Sequence, residues 1–226
     1  LYEVVQMVGL FIKSGPVVQV RDKEGKSSVL SDNDPSVLYD GPLTVMVNGF
    51  SASASEIFAA AIQDYKRGIV VGSKHSYGKG TVQNVIDLNQ FVRGSSVGDL
   101  GALKTTTQKF YRINGGSTQR EGVKSDIVMP DKYEYLKMGE KDVDNAMPWD
   151  KIDPAKYELV SSGFAPQIER SKERILANAQ FQLIVENAKW INDRKENYVV
   201  HLNYNDFKKE FADIEQQTKK FKALQN

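Results

Sequence analysis

No cysteine occurs among the 226 residues. Disulfide frameworks, thiolate zinc sites and cysteine nucleophiles are excluded together. Histidine is almost as scarce, with only His75 and His201. A metal site built on two histidines would need both, and no H-E-x-x-H pattern brings them together. A Ser-His-Asp hydrolase is left with one or two candidates for its base. Net charge is also lacking: 30 Lys and Arg against 29 Asp and Glu leave +1. That is neither a nucleic-acid footprint nor a polybasic membrane patch. No apolar run approaches the roughly 18 residues of a membrane span. What is present is a globular composition, 40% hydrophobic and 26% charged, which can bury a sizeable core and argues against disorder. The length allows one large domain or two modest ones.

The chain opens at Leu1 inside an amphipathic pattern (Leu1-Tyr2-Glu3-Val4-Val5-Gln6-Met7-Val8) without a capping prelude. A piece of a longer polypeptide is expected to begin this way. The lack of cysteine is compatible with an oxidising compartment and does not establish one.

Residues 1–13 have apolar side chains at helical spacing, and Val17-Val18-Gln19-Val20 predicts a short strand. Residues 21–40 are polar and predict an exposed connection. Leu43-Thr44-Val45-Met46-Val47, bounded by Gly41-Pro42 and Asn48-Gly49, predicts a buried strand. A helix is expected over residues 54–65, a second buried strand over 68–72 and a third strand over 81–88. Residues 105–113 are β-prone, and 127–129 make a last short strand. This order predicts an α/β layer architecture. From Pro148-Trp149-Asp150 the character changes. β-Branched runs become scarce, and residues 164–196 and 205–223 carry apolar faces at helical periods. Charge does not mark the boundary, since residues 147–226 hold 13 Lys and Arg against 12 Asp and Glu. The expected division is residues 1–146 as an α/β unit and 147–226 as an all-α domain.

Two segments carry chemistry. Asn48-Gly49-Phe50-Ser51-Ala52-Ser53-Ala54-Ser55-Glu56 joins a predicted strand to an alanine-rich helix. A serine at such a junction lies beside unpaired helix N–H groups that favour developing negative charge, and many nucleophilic serines are presented so. The competing reading is capping, because Ser53-x-x-Glu56 fits a capping box. The second segment is Ser76-Tyr77-Gly78-Lys79-Gly80-Thr81-Val82-Gln83. A lysine between glycines and between predicted buried strands can be desolvated. That would disfavour its ammonium form and let it take a serine proton near neutral pH. A solvated loop lysine is the plain alternative. A phosphate loop is not formed: Ser73 stands where its first glycine is needed, and Gly80 follows the lysine.

Taken together, Ser51-Ala52-Ser53-Ala54-Ser55-Glu56-Ile57-Phe58-Ala59-Ala60-Ala61, Gln63-Asp64-Tyr65 and Gly78-Lys79-Gly80-Thr81-Val82-Gln83 resemble the bacterial C-terminal processing peptidases, the tail-specific proteases. The stretch Gln108 to Arg120 and Gly122-Val123-x-x-Asp126-Ile127 match the same pattern. Residues 144–153 resemble the entry to the helical domain of the longer, periplasmic branch. Tyr77 and Ser125 depart from the usual phenylalanine and proline. The resemblance implies part of a ClpP/crotonase-like α/β peptidase core followed by an all-α C-terminal domain. It implies Ser53 as nucleophile, Lys79 as general base, Gln83 as the residue holding the lysine, and the Ala54 backbone N–H as an oxyanion donor. It implies no metal and no organic cofactor. The implied partners are polypeptide substrates selected by their C-termini, with room for an adaptor protein and none for nucleic acid. The implied location is the periplasm, with membrane association only through parts outside this chain. A substrate-capturing PDZ domain and a glycine-rich segment supplying a second oxyanion donor would precede Leu1, so this chain alone is expected to have little activity. The alternatives are a non-catalytic peptide-binding or scaffold module that keeps the fold, and a crotonase-like acyl-CoA enzyme. Of the remaining candidates, Asp64, Trp149 and Trp190 are expected to be structural, and His201 structural or exposed. Ser51 and Ser55 are expected in turn and helix-start roles, and His75, Arg112 and Arg120 are expected to be solvated.

Overall fold

The structure is a computed structural model. It describes residues 1–91, 98–196 and 199–224. Residues 92–97 of the expected α/β unit, and 197–198 and 225–226 of the expected helical domain, lie outside the described residues.

A mixed α/β core is followed by helices. Helix α1 (Tyr2–Gly9) leads into strands β1 (Gly15–Asp22) and β2 (Ser27–Asp32). Strand β3 (Thr44–Val47), helix α2 (Ala54–Asp64) and strand β4 (Ile69–Gly72) form a parallel β-α-β unit. Strands β5 (Thr81–Asp87), β6 (Ala102–Tyr111) and β7 (Ile127–Val128) complete two sheets. One is antiparallel in the order β2-β1-β6-β5, and the other is parallel in the order β3-β4-β7. Helices α3 (Ala165–Ala177), α4 (Ala179–Glu196) and α5 (Tyr204–Lys220) come last.

Helix α2 explains why the two sheets hold together. Ile57, Ala61 and Tyr65 recur at i, i+4 and i+8, so they share one face. That face meets Val4, Val5 and Val8 of α1, Val17, Val18 and Val20 of β1, and Phe110 and Ile113. The other face, Ala59 and Ala60, packs on Val47, Val70 and Val123 at the parallel sheet. Alanine at these two positions lets the helix approach the strands closely. With both faces buried, the N-terminus of α2 has a fixed position in the core.

Three expectations change. The polar stretch 21–40 contains β2, because Gly25 at φ 84° closes a turn through its N–H to Asp22 O, and Ser27–Asp32 then pair antiparallel with β1. Serines and an aspartate conceal a strand whose outer edge is solvated. Strand β3 is not buried throughout. It is an edge strand with Met46 84% exposed, and only Val47 is fully inside. The single periodic stretch at 164–196 is two helices, broken where the Asn178 side chain accepts from Gln180 N and Phe181 N.

After residue 148 the chain runs along the core before the helices begin. Trp149 Nε1 donates to Ser117 O (2.8 Å), and Asp150 pairs with Lys109 and accepts from Tyr111 OH (3.0 Å). Ile152 N donates to Gly115 O, Ala155 N to Ile113 O and Val160 N to Tyr65 O. Tyr157 meets Tyr65 edge-on at 5.4 Å. Beyond this strap, Trp190 of α4 packs on Phe221 and Lys220 pairs with Glu186. Among the described residues no helix is long and apolar enough to cross a membrane.

Candidate active site

The turn between β3 and α2 is closed by its own side chains. Asn48 Oδ1 accepts from Phe50 N (3.0 Å), Ser51 Oγ accepts from Asn48 N (3.1 Å), and Ser51 N donates to Asn48 O (2.9 Å). Ser51 thus has the turn role expected of it. Ser53 follows at φ 57° and ψ −114°. Side chains other than glycine rarely adopt positive φ, and such strain persists only where the surroundings enforce it. It is the backbone shape of a sharp strand-to-helix turn that lifts a serine out of the chain. Ser53 is half-buried. Ala54 supplies the first N–H of α2, which has no partner within the helix.

Glu56 enforces this shape. Its carboxylate is fully buried. Oε2 accepts from Ser53 N (2.8 Å) and Lys79 N (2.9 Å), while Oε1 accepts from Ser76 Oγ (2.6 Å) and Gly78 N (2.6 Å). One oxygen therefore bridges the backbone of Ser53 to that of Lys79, 26 residues apart in sequence. A second link is Tyr77 N donating to Ser51 O (2.9 Å). Burial pushes the Glu56 carboxyl above its usual value of 4.5, and the four donors pull it back only in part. The capping-box half expected of Glu56 is present, but the residue does more than cap. Ser-x-x-Glu was the only signal in the sequence, and it gave no hint of the three donors from the lysine loop.

Lys79 is half-buried, and its Nζ donates to Gln83 Oε1 (3.2 Å). Gln83 sits at a bulge in the β5–β6 pairing, between Val82 opposite Gln108 and Gln83 opposite Thr106. Bulges re-aim side chains, and this one lets Gln83 meet the lysine. Among the described residues no hydrogen bond joins Ser53 Oγ to Lys79 Nζ. The backbones of Ser53 and Lys79 are brought together, and Gln83 lies at the amine.

The other candidates fall elsewhere. The Asp64 side chain is only 6% exposed and takes a bidentate pair from Arg112, at 2.6 and 3.0 Å, with Asn114 Nδ2 at 2.8 Å. Burial raises its carboxyl above 3.8 although Arg112 and Asn114 oppose the shift. This is a structural role, and it overturns the expectation that Arg112 is solvated. Arg120 is not free in solvent either, since its guanidinium donates to Ala146 O (2.7 Å). His75 is half-buried with Nδ1 on Ser76 O (2.8 Å) and Nε2 on Lys141 Nζ (3.1 Å), so both ring nitrogens are engaged away from Ser53. His201 is exposed. Among the described residues no group of three His, Asp or Glu side chains converges as metal ligands do.

The chain is similar to known proteases over almost its whole length. It is 44% identical over 210 residues, 90% of this chain, to a tail-specific protease of Haemophilus influenzae, and covers 30% of that protein. It is 36% identical over 138 residues to a carboxy-terminal-processing protease of Bartonella bacilliformis, covering 59% of this chain and 30% of the relative. The chain thus spans about 30% of the length of these relatives. Among solved structures, a photosystem II D1 C-terminal processing protease is 28% identical with a TM-score of 0.48, over 56% of this chain and 30% of that one. Residues 133–226 match the family described as the C-terminal domain of tail specific protease. Residues 1–129, more than half of the chain and including both Ser53 and Lys79, match a second family. The chain belongs to Peptidase family S41.

Proposed function

We propose that this chain carries the nucleophile and general base of a serine-type endopeptidase. Ser53 Oγ attacks the scissile carbonyl carbon and passes its proton to Lys79 Nζ. The Ala54 N–H steadies the oxyanion. Lys79 then gives that proton to the departing amine as the C–N bond breaks, leaving an ester on Ser53. Water attacks the ester, Lys79 takes the water's proton, and the proton returns to Ser53 Oγ as the acid leaves. Gln83 holds the amine between these steps. The single observation behind this reading is the strained Ser53 backbone tied to Lys79 by one carboxylate oxygen.

The substrates are polypeptides recognised by their C-termini, in the periplasm, with an adaptor for some of them. This part of the proposal rests on the likeness to tail-specific proteases. The catalytic groups lie within residues 1–146, and the helical domain of 147–226 contributes none. The chain spans about 30% of the length of its relatives, and turnover by this chain alone is low.

A fluorophosphonate probe, which reacts with activated serines, tests the dyad directly. Labelling should fall on Ser53, vanish in Ser53→Ala and drop by about 10²–10⁴-fold in Lys79→Ala. A chain labelled no faster than Ser53→Ala would favour the scaffold reading instead.

A further inference from the structure

The lysine loop is held on a second side that neither the dyad nor Glu56 accounts for. The Cα of Lys79 lies between two peptide planes. In the first, Gly78 O accepts from Arg120 N (2.7 Å) and Lys79 N donates to Glu56. In the second, Lys79 O accepts from Thr118 Oγ1 (3.0 Å) and Gly80 N donates to Gln119 Oε1 (2.8 Å). Gly80 O in turn accepts from Phe110 N (2.9 Å). Both planes are thus fixed at both of their polar atoms, which sets φ and ψ of Lys79 and the direction of its Cα–Cβ bond.

Thr118 is 1% exposed and Gln119 fully buried. The Gln119 amide has one orientation. Its oxygen must face the Gly80 donor, so its Nε2 faces the acceptor Glu140 Oε1, at 3.2 Å. Glu140 is itself fastened to the loop, its N–H donating to Tyr77 O (2.9 Å). The glycines complete the fit. A Cβ on Gly80 would stand 2.7 Å from Gln119 N, and one on Gly78 would stand 3.0 Å from the Arg120 carbonyl carbon. A buried glutamine whose oxygen serves one loop amide and whose nitrogen serves Glu140 costs more to bury than leucine or methionine would.

We infer that Thr118 and Gln119 are positioning residues for Lys79: they orient the peptide plane from which its side chain departs and so aim the amine at Ser53. The assignment rests on the Ser53-Lys79 reading above. A shift of about 1 Å in a reacting group can cost about 10²-fold in rate.

The experiment compares Thr118→Val, Thr118→Ser and Gln119→Met with the full chain. Each variant is followed by the rate of fluorophosphonate labelling against pH, and by hydrogen exchange at the Gly80 amide. Thr118→Val and Gln119→Met should label Ser53 about 10–100-fold more slowly at a temperature where each is folded, with the pH midpoint displaced. Thr118→Ser keeps the hydroxyl and should recover to within about twofold. The Gly80 amide should be protected in the parent chain and exchange faster in Gln119→Met. Wild-type labelling rates and an unmoved pH midpoint in Thr118→Val and Gln119→Met would overturn the assignment while leaving the dyad standing. So would an unprotected Gly80 amide in the parent chain, a reading that survives even where a variant fails to fold. If the parent chain itself is not labelled at Ser53, the dyad falls and this assignment falls with it.

Discussion

Replacing Glu56 by glutamine tests the link between the Ser53 and Lys79 segments. The carboxylate accepts four hydrogen bonds and donates none. Glutamine keeps one acceptor oxygen and puts an NH₂ group where the other stood. If the oxygen stays on Ser76 and Gly78, the NH₂ faces two N–H donors, Ser53 N and Lys79 N. Orphaning a buried donor costs about 1–3 kcal/mol, so two cost about 2–6 kcal/mol. Removing a buried charge returns part of this, leaving a net loss of about 1–4 kcal/mol. That is a large share of the stability of an ordinary domain. Urea denaturation measures the loss, and fluorophosphonate labelling of the folded variant measures the effect on Ser53. Labelling should fall by more than stability alone explains, because the lost bonds are those joining Ser53 to Lys79. The sign with pH follows from the raised carboxyl. Folded Glu56 holds its proton more tightly than the unfolded chain does. Its contribution to stability is therefore fullest below about 4.5, the unfolded value, and declines as pH rises through the folded value. The advantage of wild type over Glu56→Gln should narrow across that window. Stability within about 0.5 kcal/mol of wild type, with labelling within twofold, would refute the bridging role. An advantage that widens with pH would refute the sign.

Asp64→Asn should destabilise by about 1–3 kcal/mol in urea denaturation, because it removes the charge partner of a mostly buried guanidinium that keeps its bond to Gln63 Oε1. The paired change Asp64→Leu with Arg112→Met should cost less than the single one. Gly78→Ala should lose about 1–2 kcal/mol and slow labelling, since φ is 93° and the new methyl meets the Arg120 backbone. Unchanged labelling would count against a rigid lysine loop. His75→Ala should leave the labelling rate within a few-fold, because both ring nitrogens are bonded away from Ser53; a large loss would move the base from Lys79 to a histidine. Ending the chain after Ala146 should cost about 4–6 kcal/mol relative to ending it after Gly163. The shorter form loses Trp149, Asp150 and Tyr157 together with the backbone bonds from Ile152, Ala155 and Val160. Equal urea midpoints would show that the strap adds nothing to the core.

What the sequence determined alone was local. Apolar period and turn residues placed α1, β1, α2, β4 and β5, because those signals arise from neighbours along the chain. The same holds for the pairing of a small-residue serine turn with a glycine-flanked lysine, from which the family was legible. The polar strand β2 escaped, since only its pairing with β1 makes it a strand. The exposed edge of β3 escaped for a similar reason: an apolar run reads as buried whether or not a neighbour covers it. Tertiary structure alone decided how the site is held. Glu56 read as a helix cap, yet both of its oxygens also accept from a loop more than 20 residues away. Thr118, Gln119 and Arg120 lie about 40 residues beyond Lys79 and close on it only when β6 brings the following turn back. Arg112 read as a surface charge until α2 placed Asp64 against it. A hydrogen bond between distant segments leaves no period and no spacing in the chain, because its geometry exists only after the sheets and α2 have packed.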